Sequence, residues 1–128
     1  MPLAASTVIK IRIEGGIELD GVLRRYLAPM TYDSIVRALP LSGALALSGP
    51  LAYFQINIRR GAEKEAKKAE IGDILYWPSL PGIAIVVEQT APPVQAVKIG
   101  ELTGDPSILK TVKQGSRIVV KKVEEAAT

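Results

Sequence analysis

The segment 70–89 constrains the fold of this chain more than any other part of the sequence. It predicts a strand that ends in an aromatic-proline turn at Tyr76, Trp77 and Pro78. An apolar run at 83–87 follows, and its length suits a buried strand. Two strands joined by such a turn form a pair, so the segment predicts a β-rich core. It also carries the only tryptophan of the chain.

Six further stretches of the chain carry strand or hairpin signals. In 7–14, apolar residues alternate with charged ones, as in a strand with one exposed face. Gly15 and Gly16 follow, and 17–20 alternates again, which predicts a β-hairpin. Four more strands are predicted at 43–47, 51–58, 94–103 and 116–123. Together with the pair 70–76 and 81–88 of the opening segment, the predicted strands number eight.

Two short helices are predicted between these strands. The first is expected over 31–39, with Thr31 as its N-cap and Asp33 in its first turn. The second is expected late in the chain, with Asp105 as its N-cap and Pro106 at its first helical position.

Eight short strands with regular turn signals and two short helices predict a mostly-β protein. The expected architecture is a closed or nearly closed antiparallel barrel. A length of 128 residues suits one domain. We therefore expect a single domain over 1–128, with an ordered core at about 7–123 and frayed ends.

The chain contains neither cysteine nor histidine. This excludes disulfides, thiolate nucleophiles, Ser–His–Asp triads and the usual zinc sites. Its paired acidic residues lie in segments that look solvated, where nothing would raise a pKa. No phosphate-binding loop is present either. The sequence therefore predicts no catalytic residue, no metal site and no cofactor, and it favours a protein that is not an enzyme.

The net charge of +3 comes mainly from the segment 59–70. Acidic residues alternate with basic ones there and no aromatic residue lies among them, so nucleic-acid binding is not favoured. A solvated loop or short helix is expected. No apolar run approaches the roughly 20 residues of a membrane span, and the first residues lack a signal sequence. We expect a cytoplasmic protein without a membrane partner, and the scarcity of asparagine favours a thermophilic source.

Three parts of the sequence resemble the cyclophilins. Ala28-Pro-Met-Thr-Tyr-Asp-Ser-Ile resembles the Ala-Pro-x-Thr-x-x-Asn-Phe opening of their first helix. The stretch 97–112 is similar to their late strand and second helix. The Tyr-Trp-Pro turn is similar to small bacterial and archaeal cyclophilin-like proteins, largely of unassigned function. The resemblance covers roughly 7–123 and implies the cyclophilin-like barrel.

The activity of true cyclophilins is prolyl cis/trans isomerisation, against a barrier of roughly 20 kcal/mol. Their arginine, glutamine and histidine lie in Phe-His-Arg-x-Ile and Gln-Gly-Gly blocks and in a later stretch. Neither block occurs in 51–60, so no catalytic residue carries over. An isomerase with a divergent active site stays an alternative, with Gln55, Arg59 and Arg60 as its candidates.

The preferred interpretation is a non-catalytic module that binds a small molecule or a proline-containing peptide in a groove on the barrel wall. Its candidate contact residues are amphipathic aromatics and amides that can fix a polar ligand: Tyr53, Gln55, Tyr76, Trp77 and Gln89. For Tyr76 and Trp77 the simpler explanation is that they cover the core, with their polar tips at the surface.

A third interpretation is a homo-oligomeric interaction protein with an exposed apolar patch at 41–51. That patch is equally explained as a buried hairpin. The sequence leaves open the ligand, the choice between monomer and homodimer, and whether the segment 59–70 covers the groove.

Overall fold

A computed structural model describes residues 5–93 and 95–123. The predicted frayed ends, at about 1–5 and 124–128, lie outside this range except for Ala5. The strands in the described residues are β1 Ser6–Ile13, β2 Ile17–Arg24, β3 Leu41–Ala44, β4 Ala46–Ser48, β5 Leu51–Gln55, β6 Asp73–Trp77, β7 Gly82–Val86, β8 Val97–Leu102 and β9 Arg117–Lys122. Helix α1 spans Pro29–Ala38, and two 3₁₀ helices span Arg25–Leu27 and Pro106–Thr111.

The strands form one antiparallel sheet in the order β3-β9-β1-β2-β8-β6-β7-β5-β4. Only Leu45 separates β3 from β4, so the segment 41–48 pairs with β9 through its first half and with β5 through its second. The two ends of the sheet are therefore neighbouring parts of one bent segment. A Cβ atom on Gly43 would lie 3.1 Å from Phe54 Cδ2, which shows how closely β3 packs on β5.

This arrangement confirms the predicted mostly-β, nearly closed barrel. The described residues form nine strands rather than eight, because the strand predicted at 43–47 is divided at Leu45. The same bend turns apolar side chains of the segment 41–51 toward the core, which favours the explanation of this segment as a buried hairpin. Leu45 is 1% exposed, and Leu41 and Leu47 pack against the core.

Isoleucine side chains fill the interior of the barrel. They come from β1, β6, β7, β8 and α1, among others, and the cavity left between them measures about 10 Å³. A space of that size holds about one water molecule at most. A ligand of ordinary size would therefore have to bind on the wall or at an end of the barrel.

Helix α1 packs on the barrel through Tyr32 and Ile35, which are both buried. The Tyr32 hydroxyl lies 2.5 Å from the Thr7 Oγ1 of β1. The helix begins at Pro29, where a missing N–H costs nothing because the first amides of a helix have no partner within it. The predicted N-cap at Thr31 is therefore wrong.

Asp33 does not lie in the first turn of α1 either. Its carboxylate accepts two hydrogen bonds from the Arg25 guanidinium, at 3.0 and 3.1 Å. In the second helix the prediction is confirmed, because Asp105 Oδ1 accepts a hydrogen bond of 2.9 Å from the Ser107 N–H and Pro106 stands at the first position. That helix is a 3₁₀ helix.

Candidate functional site

Three of the predicted contact residues share the outer face of the barrel wall formed by β5, β7 and β6. Gly82 of β7 lies opposite both Gln55 of β5 and Trp77 of β6. Residues directly opposite in an antiparallel sheet project from the same face. Tyr53 precedes Gln55 by two positions, so it projects from that face as well.

The rings of Tyr53 and Trp77 contact each other edge to face. Their centroids are 5.6 Å apart and the ring planes are inclined by 74°, a geometry that aromatic pairs prefer. Both side chains are half-buried, and Gln55 beside them is exposed. Ring surface thus lies next to an amide that can both donate and accept hydrogen bonds. This arrangement can hold a flat apolar group and orient a polar one.

Leu80 contributes to the same surface, and sequence reasoning missed it. A Cβ atom on Gly82 would clash with Leu80 Cδ2 and with the Phe54 carbonyl oxygen. Leu80 therefore packs directly over the glycine between Gln55 and Trp77. Only a residue without a Cβ atom leaves room for it, and that requirement is visible in the fold alone.

Tyr76 and Gln89 do not join this group. Tyr76 is fully buried on the inner face, where its hydroxyl donates to the Ile58 carbonyl at 2.7 Å and accepts from the Arg60 N–H at 2.9 Å. Gln89 is exposed three residues beyond the last residue of β7. The other group lies beside Gly82, the first residue of that strand.

Residues 59–70, here called the strap, cross the outer face of the same wall. The Ala66 N–H donates to the Ala96 carbonyl at 2.7 Å, and the Ala69 carbonyl accepts from the Thr90 N–H at 3.3 Å. Ala69 is only 1% exposed and packs in a cluster that includes Leu75 of β6. The strap therefore covers part of the wall, and no helix forms in it.

Helix α1 holds the start of the strap. The Glu63 carboxylate accepts hydrogen bonds from the Met30 N–H at 3.1 Å, the Thr31 N–H at 2.9 Å and the Thr31 hydroxyl at 3.1 Å. Glu63 thus satisfies the free amides that a local N-cap would otherwise satisfy. Arg60 also reaches the helix, since its Nη1 donates to the Ser34 hydroxyl at 3.0 Å.

These contacts set the protonation behaviour of Glu63. Partial desolvation opposes its charged form, but the hydrogen bonds from Thr31 and Met30 and the charge of Arg60 outweigh that effect and lower its pKa. The carboxylate is therefore a charged anchor at neutral pH.

Two other features bear on function. Within 5–93 and 95–123, no cluster of three potential metal-ligating acids, histidines or cysteines occurs. In the same described residues, no helix is long and apolar enough to cross a membrane.

The fold places this chain among the small, nearly closed antiparallel β-barrels with a helix packed on the barrel. A model of the Cyclophilin-like family matches residues 7–121, and the chain therefore belongs to that family. The resemblance noted in the sequence is thereby confirmed. No curated protein matches the chain in sequence.

Two solved structures have the same fold. The hypothetical protein AF2241 from Archaeoglobus fulgidus matches with a TM-score of 0.74 and 26% identity, over 94% of this chain and 98% of that one. The structure of McbB in complex with tryptophan matches with a TM-score of 0.73 and 18% identity, over 94% of this chain and 46% of that one. This chain thus spans about half the length of McbB, and the likeness to McbB shows the fold alone.

Proposed function

We propose that this protein is a non-catalytic barrel that binds a small molecule with a planar apolar group on its outer wall. The contacts are Tyr53, Gln55 and Trp77. The observation that carries the proposal is the edge-to-face pair of Tyr53 and Trp77, with centroids 5.6 Å apart and both rings half-buried.

The packing of the barrel supports a site on the wall. Its interior leaves only about 10 Å³, whereas ligand pockets measure roughly 300–1,000 Å³. The two rings are already held by their own contact and by the cluster under the strap. Binding therefore requires little ordering of these side chains, and a preorganised surface loses less free energy on binding than a mobile one.

The chemistry of the three side chains favours a planar ligand with a polar edge. Aromatic faces stack on flat apolar groups, and the Gln55 amide supplies one donor group and one acceptor. The McbB structure, which shares the fold, is a complex with tryptophan. That complex supports a ligand of this chemical kind, and L-tryptophan is the probe we choose.

The isomerase alternative receives little support from the arginines. Arg60 donates through its side chain to Ser34 and through its backbone to Tyr76. Arg59 follows β5 and is exposed. A proline-containing peptide is therefore treated as a second probe of the same wall.

The single tryptophan of the chain gives a direct test. A ¹⁵N-labelled sample has one indole N–H signal, which belongs to Trp77. On titration with unlabelled L-tryptophan, we expect this signal and the amides of β5–β7 to shift until saturation. Tyr53→Leu should weaken binding by about fivefold or more, since an aromatic pair contributes about 1 kcal/mol.

Tyr26→Leu is the matched control, because Tyr26 is 73% exposed on the first 3₁₀ helix. It should leave the affinity unchanged. Saturable shifts that leave the Trp77 indole signal in place would contradict the proposed site. Exchange spectra of a proline-containing peptide with a trace of protein complete the test, because accelerated cis/trans exchange would overturn a non-catalytic function.

A further inference from the structure

A second concave surface lies beside the strap. It is a groove of about 450 Å³ between the strap and strands β6 and β8, and Leu27 of the first 3₁₀ helix also lines it. We call it the strap groove. Its volume falls within the range of roughly 300–1,000 Å³ that is typical of ligand pockets. Four of its lining residues are lysines: Lys64, Lys67, Lys68 and Lys98.

Two of these lysines already have a carboxylate partner in the groove. Lys98 Nζ lies 3.3 Å from Asp73 Oδ1, and the other oxygen of Asp73 accepts the Glu70 N–H at 3.0 Å. Lys68 Nζ lies 3.0 Å from Glu70 Oε1. Asp73 is only 6% exposed. It therefore lies at the bottom of the groove, where Lys98 balances its charge. These pairs neither attract nor repel an incoming anion strongly.

Lys64 and Lys67 are different. In the part of the chain that the structure describes, no carboxylate oxygen lies within 4.0 Å of either ammonium group. They lie three positions apart on a segment fixed by the contact between Ala66 and Ala96. Both line the same groove, and an anion bound between two like charges offsets their mutual repulsion.

The remaining lining decides what kind of anion fits. Four lysines and three acidic residues (Glu65 is the third) leave a formal charge of +1. This charge matches a monoanion better than a polyphosphate. Leu27, Ala66 and the methylene stems of the lysines give the groove an apolar part. The ligand that fits has one acidic group and a compact apolar body.

We propose that the strap groove binds a small carboxylate, with Lys64 and Lys67 holding the acidic group and Leu27 contacting the apolar body. The site is separate from the Tyr53–Trp77 pair and does not depend on the function proposed for that pair. The two sites can therefore be tested separately, because each has its own NMR signals.

Cyclohexanecarboxylate is a suitable probe, because it carries one negative charge and an apolar ring that is not planar. A ¹⁵N-labelled sample is titrated with it at constant ionic strength, with chloride as the balancing anion. We expect saturable shifts of the amides at 64–68 and of Lys98, and no shift of the Trp77 indole signal. The neutral analogue cyclohexanemethanol should produce none of these shifts.

Paired variants test the role of the two lysines. Lys64→Gln with Lys67→Gln should weaken binding about tenfold or more, because hydrogen bonds between charged groups are stronger than those of a neutral amide. Lys121→Gln with Lys122→Gln on β9 removes the same charge elsewhere and should change the affinity less than about twofold. Equal losses in the two double variants would reduce the effect to general charge and overturn the site.

Two further outcomes would overturn the proposal in the wild-type protein itself. Shifts confined to the Trp77 indole would assign the carboxylate to the wall site instead. Tighter binding of inorganic phosphate than of cyclohexanecarboxylate would exclude the carboxylate assignment and favour a phosphate-bearing ligand.

Discussion

Two walls of the same barrel have outer faces of opposite character: one is charged and the other is largely apolar. On the β1–β2 wall, outward charges form ion pairs: Arg12 Nε lies 2.7 Å from Glu18 Oε2, and Lys10 Nζ lies 3.8 Å from Asp20 Oδ1. On the β5–β7–β6 wall, the outward residues apart from Gln55 are mainly apolar or aromatic, and the strap packs against part of them through Ala69. One wall faces solvent, and the other has a second layer.

The two walls differ in the burial pattern of their strands. In β1, buried and less buried positions alternate, whereas every residue of β7 is buried. A strand buried on both faces has no reason to alternate, so its sequence is a continuous apolar run. In a small barrel, such a run therefore indicates that something covers the outside of the wall.

The largest expected effect separates the two walls directly. Leu75→Ala removes a fully buried side chain between the sheet and the strap. It should lower the free energy of unfolding by about 2–5 kcal/mol, because it leaves a cavity. Val8→Ala removes an outward side chain that is 47% exposed on β1, and it should cost well under half as much. Chemical denaturation of both variants measures the ratio, and equal losses would show that the strap protects nothing.

An intermediate effect is expected at the anchor of the strap. Glu63→Gln removes the charge that accepts the Met30 and Thr31 amides and should cost about 1 kcal/mol, as the loss of a helix cap does. Amide hydrogen exchange at 30–31 and in the strap should accelerate. Glu65→Gln, on the same segment, is the control and should leave the exchange of α1 unchanged.

The same anchor predicts a pH dependence. The pKa of Glu63 is lowered in the folded state, so its contribution to stability is fully present above its unfolded value. That contribution is lost as the pH falls through the lowered folded value. Strap exchange in the wild type should therefore rise selectively below about pH 4, and the Glu63→Gln variant should lack this rise. A strap that opens equally in both proteins would remove Glu63 as the cause.

The smallest effect is expected on the solvent-facing wall. Arg12→Ala breaks the 2.7 Å ion pair with Glu18, but exposed pairs contribute about 0.2–1 kcal/mol and are screened by salt. The loss should shrink further at high ionic strength. Thermal unfolding at two salt concentrations measures it, and a loss as large as that of Leu75→Ala would contradict the comparison of the two walls.

Local signals were sufficient for the barrel but not for the anchor of the strap. Hairpin turns, strand alternation and the Asp105 cap each act within a few residues, and the sequence displays them. The sequence predicts the start of α1 at Thr31, two residues too late, because the acid that accepts the first amides, Glu63, lies more than thirty residues further along the chain. The cover of the strap over Leu75 was hidden for the same reason, since its contacts are distant in sequence.

The candidate site was predicted in part. The pairing of Tyr53 with Gln55 follows from strand alternation, and Trp77 joins them through the register with Gly82. Tyr76 and Trp77 are adjacent on a strand, so they must project from opposite faces. The alternation of side chains along the strand is visible in the sequence, and it places Tyr76 on the inner face when Trp77 lies on the outer one. The sequence does not predict that Gln89 lies away from this group, since only the structure shows that β7 ends at Val86.

The bend at Leu45 has a consequence for how the barrel is made. Strand β9 lies between β1 and β3, and the barrel closes only when the segment on either side of Leu45 pairs with both β9 and β5. During synthesis, closure must therefore wait until residue 122 has left the ribosome. Hairpins such as β1–β2 can pair earlier, but the pairing of β9 with β1 and β3 joins residues distant in sequence, and such long-range pairing is slow to form.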